Sequence, residues 1–341
     1  MILEEVDHER ENLVVRFTGS VFSRQPLSPE TIARYQLAGN YDTWSVHYLP
    51  GVTPDDSPFA QLAAAIDAGT EAEFFAEYPF QVDPVSDDSP FFFHFHDWSD
   101  LFQFGGADEW EELTGGPIGL EILATLLMQT SVLVVLLVLL PLVFLKGGAE
   151  RPKGVLRHLA YFLALGAGFM FLEISTMQRL VLYLGAPTYS LTVTLFCFLL
   201  FAGLGSLFAG RFEATATASL KRILPLLCVA IGLLIALQQP LLDATLDLDL
   251  WMRVLIVAAT LAPVNFLMGM PFPLGLARLR AEAPRFVPWA LGANGGASVV
   301  ASILCVVVAM EAGFSAVGVL ALATYGLGGL AALAGVRPEG A

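Results

Sequence analysis

The chain has 341 residues, of which 56% are hydrophobic and only 14% charged, and its mean hydropathy is +0.67. A soluble domain of this size carries about a quarter charged residues, so the composition argues against an ordinary soluble enzyme. The net charge of −15 is split unevenly: residues 1–117 hold 22 Asp/Glu against 4 Lys/Arg, and residues 118–341 hold 10 against 13. No basic stripe exists to neutralise phosphates, which excludes a nucleic-acid partner. Cys197, Cys228 and Cys305 each lie in an apolar run without a CxxC, so they read as small buried hydrophobes and not as a disulfide scaffold.

The acidic third reads as a short α/β segment. NLVVRF (12–17) has the composition of a strand. Ser28-Pro29-Glu30 supplies an N-cap, an N1 proline and a first-turn acid, opening a helix to Ala38. Trp44, Val46 and Tyr48 alternate with polar residues and predict a second strand. Ser57-Pro58 opens another helix, and Thr70-x-x-Glu73 has the spacing of a capping box for a third. An acidic turn (83–90) then leads into FFFHFHDW (91–98). His94 and His96 share one side of a strand, with Asp97 beside them, but no further ligand cluster accompanies them. The segment reads instead as an aromatic membrane-interface stretch, and no metal is assigned. Asp87-Asp88 has two readings, a cation or polyamine contact and a solvated turn before proline. No Gly-rich strand–turn–helix appears in residues 1–117, so no nucleotide site is assigned there.

The remaining two-thirds is membrane material. Residues 122–145 are uncharged and long enough to span about 30 Å of hydrocarbon. Six more apolar segments follow at 158–183, 190–210, 223–241, 254–275, 288–310 and 314–335, giving seven predicted spans. Lys146, Arg151, Lys153, Arg157, Arg211, Lys221, Arg222, Arg278, Arg280, Arg285 and Arg337 fall on one face, and the alternate loops carry only Arg253. The positive-inside rule places that face, and the C-terminus with it, in the cytoplasm. Residues Ala160/Ala164/Gly168, Ala202/Ser206/Gly210 and Ala293/Ala297/Ala301 form small-residue ridges suited to close helix packing.

Two features inside the spans point beyond packing. Pro263, Pro271 and Pro273 crowd one span and remove backbone donors, predicting a broken helix; such a break either lines a substrate cavity or is a plain kink. Glu173, Gln178 and Arg179 lie together in another span. Glu173 and Arg179 are six residues apart, off the same helical face, so each must look to another helix; Asn265, Asn294, Ser298 and Tyr189 have the chemistry to answer. Arg179, near the span's end, has the alternative of snorkelling to the interface.

The run GFMFLEISTMQRLVLYLGAPTYSLTVTLFCFLLFAGLGSLFAGR (168–211), followed by NFLMGMPFPLG (265–275) and WALGANGGASVVAS (289–302), resembles the membrane repeat of bacterial fused proteins. In these, a major-facilitator-like bundle is joined to a spermidine-synthase-like domain. NLVVR, YLPG (48–51), AEYPFQVDPVSDDSPFFFHF (76–95) and Trp98 resemble the C-terminal tail of that synthase-like domain. The resemblance implies a fold that is mainly α. Residues 118–341 would form a polytopic membrane bundle, and residues 1–117 the tail of a Rossmann-like synthase domain. It also implies an aminopropyltransferase relationship, but the nucleoside-binding and catalytic motifs are absent from this chain. A cofactor of the S-adenosylmethionine type is then expected only if a separate chain completes the domain. The expected partners are the lipid bilayer, a separately encoded synthase-like domain, and a polyamine or other small cation; the expected roles are transport, sensing or scaffolding, with Glu173 handling a cation or proton. Seven spans place residues 1–117 outside, whereas the membrane part of the resemblance aligns with six spans over 158–335 and makes 122–145 the additional segment, so the side of the soluble part stays open.

Overall fold

The computed structural model describes residues 2–7, 15–20, 25–38, 44–78, 82, 84–92, 98, 118–140 and 154–334. The chain divides into two compact units, Met1–Asp83 and Pro84–Ala341. His94, His96 and Asp97 lie outside the described residues, as do the cations from Lys146 to Lys153 and Arg337.

The first unit contains a three-stranded antiparallel sheet in the order β2-β1-β3, formed by β1 (Ile2–Asp7), β2 (Val15–Ser20) and β3 (Trp44–Tyr48). β1 pairs with β2 from Ile2↔Ser20 to Asp7↔Val15, and this register sets β2 later than the strand expected at 12–17. β1 itself was not legible in ILEEVD, because Glu and Asp are depleted from strands. Helices α1 (Pro29–Ala38), α2 (Pro58–Ala68) and α3 (Glu71–Glu77) lie where the sequence places them. Ser28 Oγ accepts the Thr31 N–H at 3.2 Å and so caps α1. The Thr70 capping box does not form. Gly69 turns left-handed at φ 70°, and the Thr70 N–H donates to the Ala65 carbonyl at 2.8 Å, so the C-cap of α2 takes Thr70 before α3 can use it.

The second unit is a helical bundle. Among the described residues, five helical stretches are long and apolar enough to cross a membrane: Gly119–Val138, Val155–Leu184, Pro187–Thr245, Leu250–Glu282 and Pro284–Leu333. Their outward faces carry exposed leucine and tryptophan, among them Leu137, Leu199, Leu207, Trp251 and Leu255. A helix that is apolar all round belongs in lipid, and the chain is a multi-pass membrane protein. The elements are α4 (Ile118–Val134, prolonged by a π-helical turn at Val135–Leu139), α5 (Val155–Leu184), α6 (Pro187–Ala209), α7 (Ala216–Thr245), α8 (Leu250–Met268), α9 (Pro271–Glu282) and α10 (Val287–Leu333).

Two stretches double back. A straight helix of 59 residues would be about 90 Å long, roughly three times the hydrocarbon thickness. In it α6 and α7 are joined by a 3₁₀ segment, Gly210–Thr215. The Phe169 and Phe198 rings lie 5.6 Å apart and Ser190 Oγ donates to the Met177 carbonyl, so α6 runs antiparallel to α5. Arg179–Gln239 (3.3 Å) and Tyr183–Thr245 (2.8 Å) run parallel, so α7 returns. α10 folds at Gly313, where φ is 79° and ψ 163°, a conformation reserved for glycine. Its first arm (287–312) is parallel to α5, with Asn294 bonded to the Phe162 carbonyl and Ser298 to that of Gly166. Its second arm (314–333) is antiparallel, with Tyr325 over Gly168 and Gly328 against Ala164.

Two ends of the bundle follow. α8 and α9 descend from Arg253, which donates to the Tyr183 carbonyl, to Glu282, whose carboxylate is 3.3 Å from His158. The end holding the start of α5 also holds Arg157, Arg211, Lys221, Arg222, Arg278, Arg280 and Arg285. The opposite end holds Arg179, Arg253 and the Gly313 fold. There Asp88 and Trp98, in the stretch expected to close the soluble part, meet α10: the Phe314 N–H donates to the Asp88 carbonyl at 2.9 Å, and Trp98 Nε1 donates to Glu311 Oε1 at 2.8 Å.

Candidate functional site

The small-residue ridges create the interior. A Cβ on Gly205 would strike the Phe266 carbonyl, and one on Gly269 the Ala202 carbonyl, so α6 and α8 touch backbone to backbone. Pro263 stays within α8 and faces outward; the break comes at Gly269-Met270, and α9 restarts with Pro271 in its first turn. The buried Tyr161 hydroxyl donates to the Pro271 carbonyl at 2.6 Å and fixes the restart. Beside the break lies a cavity of about 500 Å³, bordered by Gly166, Phe169, Phe198, Gly269, Phe272, Pro273, Asn294, Ser298 and Tyr325. Asn294 reaches it with its amide held, Nδ2 donating to the Phe162 carbonyl at 3.0 Å, while Ser298 Oγ bonds the Gly166 carbonyl at 3.2 Å. Gly166 permits this approach, since a Cβ there would meet the Asn294 carbonyl.

A second cavity, about 540 Å³, opens at the Gly313 end. Asp87, Asp88, Gln178, Arg179, Gln239, Asp243 and Ser315 line it. Gln239 links its neighbours: its Oε1 accepts from Arg179 at 3.3 Å and its Nε2 donates to Asp243 Oδ1 at 2.8 Å. Asp88 Oδ1 accepts the Ser315 N–H at 2.9 Å and the Ser315 hydroxyl at 2.8 Å.

The residues singled out from sequence therefore occupy three places. Gln178 and Arg179 border the end cavity, Asn294 and Pro273 the interior one. Glu173 and Asn265 border neither. Glu173 is 7% exposed and has no hydrogen-bond or ionic partner among the described residues; Asn265 is fully buried, and neither its Oδ1 nor its Nδ2 has one. Tyr189, proposed from its chemistry as a partner, is 52% exposed. Sequence reasoning missed Gln239 and Asp243, although Gln238-Gln239 before Pro240 interrupts an apolar run. It also missed Thr194, which is fully buried with its hydroxyl unpartnered among the described residues. Among the described residues no group of three or more His, Cys, Asp or Glu is placed to hold a metal ion.

No family model, no curated protein and no solved structure matches the chain.

Proposed function

We propose that the chain is a seven-span inner-membrane protein of the fused transporter-like/spermidine-synthase-like family. Its bundle binds a small cation of the polyamine class for transport or sensing. The observation that carries this reading is Glu173, a buried carboxyl near the middle of α5 that has no partner among the described residues. A charge at that depth costs at least about 2.5 kcal/mol, and such residues mark ion and substrate paths. The reversals at 210–215 and at Gly313 support seven crossings, and the cation-rich end supports a cytoplasmic C-terminus. Residues 1–117 then lie outside. The test is spermidine uptake or binding in proteoliposomes with wild type and Glu173→Gln. The reading expects saturable binding by wild type and its loss in the variant. Equal signals remove Glu173 from the site, and no binding by wild type removes the substrate class.

A specific observation favours a second role for the first unit, completing a synthase-like domain supplied by another chain with its S-adenosylmethionine-type nucleoside. α2 and α3 bury no residue, and Leu37, Phe59 and Ile66 stand 64%, 38% and 57% exposed. Apolar faces of this kind want a covering layer. Affinity purification of the full chain from its native membrane should bring down a protein with a Gly-rich nucleoside fold; its absence removes this role.

A further inference from the structure

The interior cavity beside the Gly269 break offers space and free hydrogen-bonding groups that the Glu173 reading does not use. Its volume of about 500 Å³ falls within the roughly 300–1,000 Å³ of small-molecule sites. Phe169, Phe198, Phe272 and Tyr325 give it four aromatic walls, and among the described residues no charged side chain borders it. A full charge entering it would have no partner, and burying a charge unpaired is costly. The ligand it fits is therefore uncharged, and spermidine is not that ligand.

Two polar side chains border the cavity at one level of the bundle. A Cβ on Gly166 would meet the Asn294 backbone and amide, and one on Gly168 would meet the Tyr325 ring at 2.8 Å. The two arms of α10 therefore bring Asn294 and Tyr325 to the same turn of α5. Asn294 spends one amide N–H on the Phe162 carbonyl and keeps the second. Ser298 spends its only O–H on the Gly166 and Asn294 carbonyls. Tyr325 is 1% exposed, and its hydroxyl makes no hydrogen bond with the described residues. A buried tyrosine hydroxyl ordinarily has a partner. An N–H and an O–H thus remain to be answered, and a ligand with carbonyl oxygens answers both.

The mouth of the cavity lies within the span. Leu199, Gly203 and Ser206 recur at i, i+4 and i+7 on α6, border the cavity and are exposed. Leu199 and Gly203 lie ten and six residues before the end of α6 at Ala209, about 15 and 9 Å along the helix. At that depth the opening faces hydrocarbon, so a ligand enters sideways from the bilayer and leaves its tail there. An acyl chain alone would leave both donors unmet.

We propose that the interior cavity binds an uncharged, ring-bearing lipid of the quinone class, its ring among Phe169, Phe198 and Phe272 and its carbonyl oxygens on Asn294 and Tyr325. Glu173 does not border the cavity, so this site stands or falls without the polyamine reading.

The test is equilibrium binding of tritiated decylubiquinone to the purified full chain in nanodiscs, with empty nanodiscs giving the background from partitioning. Wild type should bind saturably. Gly203→Leu should abolish binding: a Cβ there meets nothing within 4 Å, so the variant folds and its side chain blocks the mouth. Gly295→Leu, equally open but away from the cavity, should leave binding unchanged. Tyr325→Phe keeps the ring and loses one hydrogen bond, so binding should weaken about tenfold. Decylbenzene, which has the ring and chain without oxygens, should compete at least tenfold less well than unlabelled decylubiquinone. Absence of saturable binding by folded wild type overturns the proposal, as does unaltered binding in folded Gly203→Leu. Equal competition by decylbenzene would make a bare hydrocarbon the occupant, and a dimer that Gly203→Leu dissociates would make it a second copy of the chain; either result overturns the proposal. Spermidine binding, measured in parallel, bears on the Glu173 reading alone.

Discussion

Asp88 caps a helix from 227 residues away. The fold at Gly313 leaves the first N–H groups of the second arm of α10 without intrahelical acceptors. Asp88 answers two of them, the Phe314 N–H with its own carbonyl and the Ser315 N–H with its carboxylate, and it also accepts the Ser315 hydroxyl. Asp88→Ala keeps the carbonyl contact and removes both carboxylate contacts. Loss of an N-cap costs about 0.5–2 kcal/mol, and a charge-assisted bond to a hydroxyl adds about 1 kcal/mol. The site is half-buried, so solvent offsets part of this, and the expected loss is about 2 kcal/mol. The assay is reversible unfolding of the full chain in mixed micelles, for Asp88→Ala, Ser315→Ala and the double variant. The hydroxyl bond should appear as a coupling of about 1 kcal/mol. Asp88→Asn should retain part of the cap. Wild-type stability in Asp88→Ala, or no coupling in the cycle, refutes the capping argument.

Two other measurements probe the bundle. Gly205→Ala and Gly269→Ala each drive a Cβ into a facing backbone carbonyl, which cannot rotate away, so each should destabilise by about 3 kcal/mol, the upper end for overpacking; unfolding within ~0.5 kcal/mol of wild type would show that α6 and α8 do not touch as described. Ser57→Cys and Ser219→Cys should react with a membrane-impermeant maleimide from opposite sides of sealed vesicles, with wild type reporting the background from Cys228, which is partly exposed. Labelling of both from one side removes the seven-span reading.

The helices were legible because lipid demands long apolar runs, and boundaries set by charge and glycine came out close to those observed. The gap anticipated between 310 and 314 contains Gly313, the one backbone conformation in that helix that only glycine tolerates. The proline-rich span was harder to read. Proline alone marks three candidate breaks, yet Pro263 faces outward inside a continuing helix, and the break falls where Gly269 must pass the Ala202 backbone. That contact belongs to the tertiary register, which a single sequence does not encode locally. Thr194 hid for the same reason. TYSLTVT reads as an ordinary polar-dotted helix start, and Thr192 behaves as one by bonding back to Thr188. Only the tertiary structure shows that Thr194 is the threonine whose hydroxyl is left buried and without a partner among the described residues. β1 was missed because its acidic residues oppose strand propensity, and pairing on both sides overrides it.

Glu173 separates a working site from a structural one. If the carboxyl served the fold, it would need a donor, and its removal would weaken the bundle. The described residues offer none, so in the absence of ligand Glu173 is a net cost to the folded state. Glu173→Leu should therefore raise the stability of the ligand-free bundle by about 1–2 kcal/mol while abolishing spermidine binding, the signature of a residue retained for function at the expense of stability. The comparison must be made without spermidine, because bound ligand would stabilise wild type alone by mass action and mask the gain. Raising spermidine should then close the gap between wild type and Glu173→Leu, and the concentration at which the two stabilities cross, taken with the size of the gap, gives the affinity. A variant less stable than wild type without ligand would mean that Glu173 does have a structural partner, and the functional reading built on its isolation would fall.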